Sequence, residues 1–200
     1  MYPAEVARLF ASGPNPPLQL IGTRSTAPNV AHEGYGGWTW RRFLTQFVTP
    51  TDAVQSASGK VVSSPFLFAS GGGEGYQLDF KRYLNERAGG RTPDFITVLL
   101  GINDCFRLKA ANPTALDEGI TDMMVQAEKL LEEFTKAAPR AKVGICLVPP
   151  PNDNPKAFEA NYKQQYPRWN WKQVQHRLLE RQIRQFENRR SQSCLLYTSP

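Results

Sequence analysis

Two apolar runs separated by an amphipathic helical pattern constrain the fold of this chain most strongly. Residues 94–100 and 142–148 are rich in aliphatic side chains, and each run ends at a glycine or a proline. Between them, apolar residues recur at a period of 3.6 over residues 116–138. A run that is apolar on both faces predicts a strand buried between two layers, as in a parallel sheet covered by helices. The order strand, helix, strand therefore predicts an α/β protein.

Weaker patterns predict the remaining elements. Helices are predicted over residues 3–10, 38–47, 76–87 and 169–188, and a further strand over residues 18–22. Residues 48–75 predict a loop because they are rich in small residues and end in a glycine run. Thr114 is the predicted N-cap of the helix at residues 116–138, with Asp117 three residues later. No internal repeat and no second domain are indicated.

The long helical patterns also predict which side chains face the core. In the pattern at residues 116–138, the predicted core-facing residues are 116, 120, 123, 124, 127, 130, 131 and 134. In the pattern at residues 169–188 they are Trp171, Val174, Leu178, Leu179, Ile183 and Phe186. Cys146 lies in the second apolar run and is predicted to be a small core residue.

The net charge of +6 is concentrated near one helix. Residues 163–190 hold eight lysines and arginines against two glutamates, which accounts for the whole excess. A basic helix can bind nucleic acid or anionic lipid, but a charge run of this kind is more often a solvated outer face. The solvated face is the preferred interpretation, so no nucleic-acid partner is predicted.

The cysteines and the apolar runs exclude other classes of protein. Three cysteines without CxxC spacing do not predict a structural zinc site or a disulfide framework. No apolar stretch approaches the ~20 residues that a membrane-spanning helix needs. Neither a cofactor nor a membrane span is predicted, and the oligomeric state is not indicated.

A polar motif follows the first buried strand directly. Residues 101–104 read Gly-Ile-Asn-Asp. Ligands of open α/β sheets bind beyond the carboxyl ends of the strands, so this turn points toward any active site. The Asn103 carboxamide is a neutral donor that can stabilise a developing oxyanion. An Asn-Asp pair that makes a local Asx-type turn is the structural alternative, and the motif alone leaves both open.

A glycine-containing loop precedes the helix predicted at residues 38–47. It reads His-Glu-Gly-Tyr-Gly-Gly over residues 32–37. A glycine here lets a backbone N–H approach a ligand closely, and the start of the following helix adds positive potential. The alternative is a flexible connection.

In this order and spacing, the two motifs resemble sequence blocks of the SGNH (GDSL-type) hydrolase family. The segment HEGYGGWTW, residues 32–40, is similar to the second block, in which Gly37 matches the oxyanion-hole glycine. The segment PDFITVLLGIND, residues 93–104, is similar to the strand and third block, in which Asn103 matches the oxyanion-hole asparagine. The resemblance extends over residues 2–190.

The resemblance implies a three-layer α/β/α, flavodoxin-like fold with a parallel sheet. It also implies a serine esterase whose substrate is a small acyl ester or a carbohydrate acetyl ester. In that family a serine attacks the ester, a histidine acts as general base, and an aspartate orients the histidine. The implied site residues in this chain are Gly37 and Asn103.

Two family blocks have no counterpart in these 200 residues, the Gly-Asp-Ser nucleophile block and the Asp-x-x-His block. The helix at residues 3–10 is similar to the one that follows the nucleophile, so the serine is expected shortly before Met1. Residues 194–200 resemble a translated adapter read-through. The hydrolase domain is therefore expected to span residues 1–193 without its first and last strands, and residues 194–200 to be a non-native tail. Such a fragment is expected to be inactive and unstable.

The chain offers no obvious substitute for the missing triad. His32 belongs to the glycine loop, His176 lies among basic residues on a predicted helix, and Ser25 lies in a polar loop without a strand-to-helix turn.

Two other functions stay open. A non-catalytic SGNH-like carbohydrate-binding module would use aromatic residues at its surface; the candidates are Tyr162, Tyr166, Trp169 and Trp171, of which Trp171 is expected to pack under the sheet. A basic nucleic-acid-binding domain would depend on Arg177, Arg181 and Arg184.

Overall fold

The structure is a computed structural model that describes residues 2–48, 62–72, 75–163, 166–187 and 193–196. The chain divides into a first unit, Met1–Gly36 with Thr45–Pro93, and a second unit, Gly37–Leu44 with Asp94–Pro200. Helices alternate with small sheets, one of which is parallel. The predicted α/β class is therefore confirmed.

The first unit contains two antiparallel strand pairs and two helices among its described residues. Helix α1 spans Tyr2–Ala11, as predicted. Strands β1 (Arg24–Ser25) and β2 (Ala31–His32) form a short pair. Strands β3 (Leu67–Ala69) and β4 (Tyr76–Leu78) form the other, and helix α3 (Phe80–Glu86) follows them.

The strand predicted at residues 18–22 is wrong. These residues have no regular secondary structure, and Leu18 is exposed. An apolar run forms a strand only where a neighbouring strand accepts its backbone hydrogen bonds, and no described strand pairs with this segment. The segment nevertheless runs very close to β2, since a Cβ added at Gly22 would lie 2.4 Å from the His32 backbone.

The prediction of a loop over residues 48–75 is wrong at residues 67–69, which form β3 and in which Leu67 and Phe68 are buried. Residues 49–61 and 73–74 of that prediction lie outside the described residues. The helix predicted over residues 76–87 is confirmed only in its second half. The helix begins after Asp79, whose carboxylate accepts a hydrogen bond from the Arg82 N–H at 2.7 Å.

The second unit is built on a three-stranded parallel sheet in its described part. Strands β5 (Phe95–Val98), β6 (Lys142–Cys146) and β7 (Ser193–Leu196) lie in the order β5-β6-β7. Phe95 is opposite Lys142, and Val143 is opposite Ser193. The two strands predicted from the apolar runs are confirmed, although each is shorter than its run.

Burial of the strands follows their place in this sheet. Strand β6 is central, and four of its five residues are buried, including Cys146 as predicted. Strand β5 lies at the edge of the described sheet, and the Phe95 side chain is 70% exposed. The prediction that both faces of this strand are buried is therefore wrong.

Strand β7 falls largely within the residues that the sequence interpretation set aside as a tail. Its backbone pairs in parallel with β6 from Val143 to Cys146. Because residues 194–200 were excluded from the fold prediction, this third strand was not predicted.

Helix α5 (Pro113–Ala137) confirms the clearest helical prediction. All eight apolar residues of its predicted stripe are buried, from Leu116 to Phe134. The cap is different from the one predicted. The Asn112 carboxamide oxygen accepts the hydrogen bond from the Ala115 N–H at 3.1 Å, because Pro113 starts the helix one residue before Thr114.

The other helices of the second unit are α2 (Trp40–Thr45, of which all but Thr45 belong to this unit), α4 (Ile102–Cys105), α6 (Pro155–Tyr162) and α7 (Arg168–Phe186). In α7 the prediction of inward residues is wrong at Leu179 and Ile183, which are half-buried; Gln175 and Gln182 are buried instead. The Gln175 amide donates to the Val148 carbonyl at 3.0 Å. No helix in the described part of the chain is long and apolar enough to cross a membrane.

Candidate functional site

A buried glycine turn connects β5 to the candidate site. Gly101 has a φ of +116°, which favours glycine over any residue with a Cβ. The nearest atoms to a Cβ there would be 3.4–3.5 Å away, an ordinary contact distance. Backbone conformation rather than space therefore requires glycine at this position. The turn leads directly into α4, which carries Asn103 and Asp104.

The Asn103 side chain makes a long-range contact. Its Nδ2 donates a hydrogen bond to the Trp38 carbonyl oxygen at 2.9 Å, across 65 positions of sequence. Asn103 is half-buried. A primary amide carries two N–H groups, and no described residue accepts the second one. The local Asx turn, which the motif left open, does not account for this contact.

The Asp104 carboxylate contacts the same segment from the next position. The Trp40 N–H donates to its two oxygens at 3.1 and 3.4 Å. Burial raises the pKa of the Asp104 carboxyl to about 6, although the N–H groups of Trp40, Asp104 and Gly101 act in the opposite direction. No charged side chain contributes to this shift.

Gly37 lies directly before the segment that Asn103 and Asp104 contact, Trp38 to Trp40. Its φ is +76°, its surface is exposed, and a Cβ added there would meet no atom within 4 Å. Its carbonyl oxygen accepts a hydrogen bond from Arg42 Nη1 at 3.4 Å. The Thr39 hydroxyl then caps α2 by accepting the Arg42 N–H at 3.1 Å.

The second unit thus brings together the two residues singled out from the sequence. Asn103 contacts the carbonyl of the residue directly after Gly37. The buried Trp38 ring also packs on Phe43, with ring centroids 4.9 Å apart. The contribution of Asp104 was not predicted; its position after Asn103 in the motif was the available signal, but its partner could not be read from the sequence.

Cys105, which follows the motif, is a core residue. Its thiol is fully buried and lies 4.0 Å from the sulfur of Met123. Burial raises the pKa of the thiol to about 12, with the nearby Asp104 as a further cause. A thiol with a raised pKa is a poor nucleophile at neutral pH.

In the first unit, the residues weighed as triad substitutes make local contacts. His32 Nδ1 accepts the Gly34 N–H at 2.9 Å, and the Ser25 hydroxyl donates to the Ala27 carbonyl at 2.7 Å. Neither contact is that of a nucleophile hydrogen-bonded to its base.

Glu33 forms a network that sequence reasoning missed. Its carboxylate accepts the Thr23 N–H at 2.6 Å, the Thr23 hydroxyl at 2.9 Å, the Tyr35 hydroxyl at 3.0 Å and the Tyr83 hydroxyl at 2.8 Å. Burial raises the pKa of the Tyr83 phenol, and the charge of Glu33 adds to the effect. Four donors satisfy this carboxylate, so its role is to join the glycine loop to α3 within the first unit.

The basic helix α7 is partly neutralised by α5. Arg177 forms a two-pronged pair with Asp117, at 2.8 and 2.9 Å, and also contacts Glu180 at 3.0 Å. Arg181 donates to the Thr121 hydroxyl at 3.1 Å. His176 is exposed and lies 3.8 Å from Glu180. Two of the three arginines named for nucleic-acid binding therefore have partners on α5.

The aromatic residues considered for sugar binding differ in exposure. Trp171 is buried, as predicted, and stacks on Phe106 with centroids 4.7 Å apart. Tyr162 and Tyr166 are half-buried and also contact the Phe106 ring. Trp169 is 63% exposed.

Comparison of the chain with protein-family models, with curated protein sequences and with solved structures finds no match. Among the described residues, no group of three or more His, Cys, Asp or Glu side chains is arranged to hold a metal ion.

Proposed function

We propose that this chain carries the oxyanion-binding part of a serine ester hydrolase of the SGNH type, with a fold of the three-layer α/β/α, flavodoxin-like kind. The Gly37 N–H and the Asn103 carboxamide are the proposed donors. The substrate class is a small acyl ester or a carbohydrate acetyl ester. Residues 1–200 contain neither a Gly-Asp-Ser block nor an Asp-x-x-His block, so the proposal covers the oxyanion donors and not the nucleophile or the base.

One contact carries this proposal. The hydrogen bond from Asn103 Nδ2 to the Trp38 carbonyl joins the third-block asparagine to the residue beside the second-block glycine. An oxyanion hole needs donors from separate segments held next to each other, because the charge that forms in the transition state must be met without reorganisation. The second Asn103 N–H and the N–H of an exposed, positive-φ glycine are suitable donors.

The chemistry assigned to these donors is stabilisation of the tetrahedral intermediate. When a serine oxygen attacks the ester carbonyl, the π electrons move onto the carbonyl oxygen and leave it negatively charged. Two N–H groups that point at this oxygen lower the barrier more than they strengthen ground-state binding. Removing these donors is therefore expected to lower kcat and to leave KM nearly unchanged.

The test is hydrolysis of p-nitrophenyl acetate by a polypeptide that joins this chain to the two missing blocks. Asn103→Asp keeps the shape of the side chain but replaces the donors with a carboxylate. We expect kcat to fall by about 10²–10³ with little change in KM. The matched control is Asn112→Asp, since Asn112 caps α5 away from the motif. Unchanged kcat in Asn103→Asp would refute the proposed function.

A carbohydrate-binding module without catalysis is the second candidate, and the exposure of Trp169 favours it. A flat, exposed indole ring can pack on the apolar face of a sugar. This candidate predicts that Trp169→Ala weakens binding to an acetylated oligosaccharide, measured by calorimetry, while Asn103→Asp leaves binding unchanged. Because Arg177 and Arg181 have partners on α5, the structure supplies no comparable support for nucleic-acid binding.

A further inference from the structure

The Asn103-Asp104 pair holds the segment from Trp38 to Trp40 at two points. Asn103 donates to the Trp38 carbonyl, and Asp104 accepts the Trp40 N–H. These two backbone groups lie two residues apart on one segment and have opposite polarity. A single hydrogen bond leaves a segment free to rotate about it, whereas two bonds from a rigid turn fix its orientation. Gly37 lies directly before this segment, so the direction of its N–H depends on the attachment.

Capping of α2 does not by itself account for Asp104. The Thr39 hydroxyl already accepts the Arg42 N–H, as an N-cap residue does. The Trp40 N–H belongs to the first residue of the helix and is satisfied by Asp104 from a distant part of the sequence. Keeping a half-buried carboxylate without a basic partner has a cost, which its raised pKa reflects.

We infer that Asp104 is a positioning residue, which holds the segment from Gly37 to Trp40 so that the Gly37 N–H and the free Asn103 N–H face the same acyl oxygen. This inference rests on the proposed function, but its structural part can be measured without activity. Asp104 does not touch the substrate; it acts through the Trp40 N–H.

The first experiment follows backbone amides by NMR in the isotopically labelled 200-residue chain. Asp104→Leu removes the acceptor, and we expect the Trp40 amide to exchange about tenfold faster and the Gly37 resonance to shift. Asp104→Asn keeps an acceptor oxygen and is expected to restore both. The control is Thr39→Ala, which removes the cap of the same helix without touching the Trp40 N–H. The inference is wrong if Asp104→Leu leaves both signals unchanged, or if Thr39→Ala reproduces its effects.

A second measurement uses the wild-type chain, so it does not depend on a variant that folds. The Trp40 amide proton is expected to titrate with the Asp104 carboxyl, with a midpoint near the pKa of about 6, and this titration should vanish in Asp104→Asn. The groups that face the carboxyl are the N–H groups of Trp40, Gly101 and Asp104 itself, and the neighbouring Cys105 thiol stays protonated in this range. A Trp40 signal that is flat from about pH 3 to about 7.5, a range that includes the ordinary aspartate pKa, would overturn the inference.

Activity then separates this inference from the proposed function. In the active polypeptide, Asp104→Leu is expected to lower kcat at constant KM, Asp104→Asn to restore most of it, and Asn112→Asp, at the cap of α5, to leave it unchanged. If Asn103→Asp abolishes activity but Asp104→Leu does not change kcat, the result supports the proposed oxyanion hole and refutes the positioning role of Asp104. If neither variant changes kcat while the NMR effects are present, the attachment stands and the hydrolase proposal fails.

Discussion

At the scale of single residues, a glycine can be required because a Cβ would not fit or because φ is positive. Gly36 and Gly37 allow these two reasons to be distinguished. Both are exposed, and a Cβ added at either would meet no atom within 4 Å. Only Gly37 has a positive φ, +76°. Space is therefore equal at the two positions, and backbone conformation is the difference between them.

This pair allows a matched test of stability. Gly37→Ala forces a Cβ into the left-handed region and is expected to lower the free energy of unfolding by about 1–2 kcal/mol. Gly36→Ala is expected to be neutral or slightly stabilising, because it restricts the unfolded chain. Urea denaturation measures both. Equal effects of the two substitutions would mean that φ does not control the choice of glycine at position 37.

At the scale of elements, the start of α5 distinguishes a cap that sequence pattern suggests from the cap that forms. Asn112→Ala removes the side-chain oxygen that accepts the Ala115 N–H. We expect a loss of about 1 kcal/mol of stability. Thr114→Ala, at the position predicted from the sequence, is expected to change stability by less than about 0.5 kcal/mol. A larger effect at Thr114 than at Asn112, in thermal or urea unfolding, would contradict the structure.

At the scale of the whole molecule, Asp104 shapes the dependence of stability on pH. Its pKa is raised in the folded state, so its favourable contribution is full below its usual pKa near 4 and is lost as the pH rises through about 6. Asp104→Asn should therefore match the wild type near pH 4 and gain stability relative to it up to pH 7. Since one pKa unit corresponds to about 1.4 kcal/mol, the gain is at most about 3 kcal/mol.

The difference in unfolding free energy between the wild type and Asp104→Asn, measured across pH, reports on Asp104 alone, because groups that titrate in the opposite sense contribute equally to both proteins. Arg177 holds the pKa of the Asp117 carboxyl below its usual value, so that contribution is lost as the pH falls through the lowered pKa. It is the same in the wild type and in Asp104→Asn. A constant difference in unfolding free energy between pH 4 and about 7 would show that Asp104 has an ordinary pKa.

Prediction from sequence succeeded where a residue's environment follows from its neighbours along the chain. The period of 3.6 in α5 identified all eight buried residues, and the aliphatic composition of residues 142–148 identified β6 as a buried strand. It failed where a partner distant in sequence decides the outcome. Residues 18–22 pair with no strand in the described part of the chain, and Phe95 is exposed because β5 lies at the edge of the described sheet.

The candidate site shows the same division. Local motifs were enough to select Gly37 and Asn103 as candidate donors, because turns and strand ends each have their own residue preferences. The roles of Thr39 and Asn112 as caps needed the helix starts to be known to within one residue. The contact between Asp104 and the Trp40 N–H joins residues 64 positions apart, and no local pattern carries that information.

Sequence alone determined the α/β class, the two principal strands and the stripe that faces the core in α5, because periodicity and aliphatic composition act over a few neighbouring residues. Only the tertiary structure decided that β5 lies at an edge of the described sheet and that Asn103 and Asp104 hold the segment from Trp38 to Trp40. Those outcomes depend on hydrogen bonds and burial between segments that the chain brings together only when it folds.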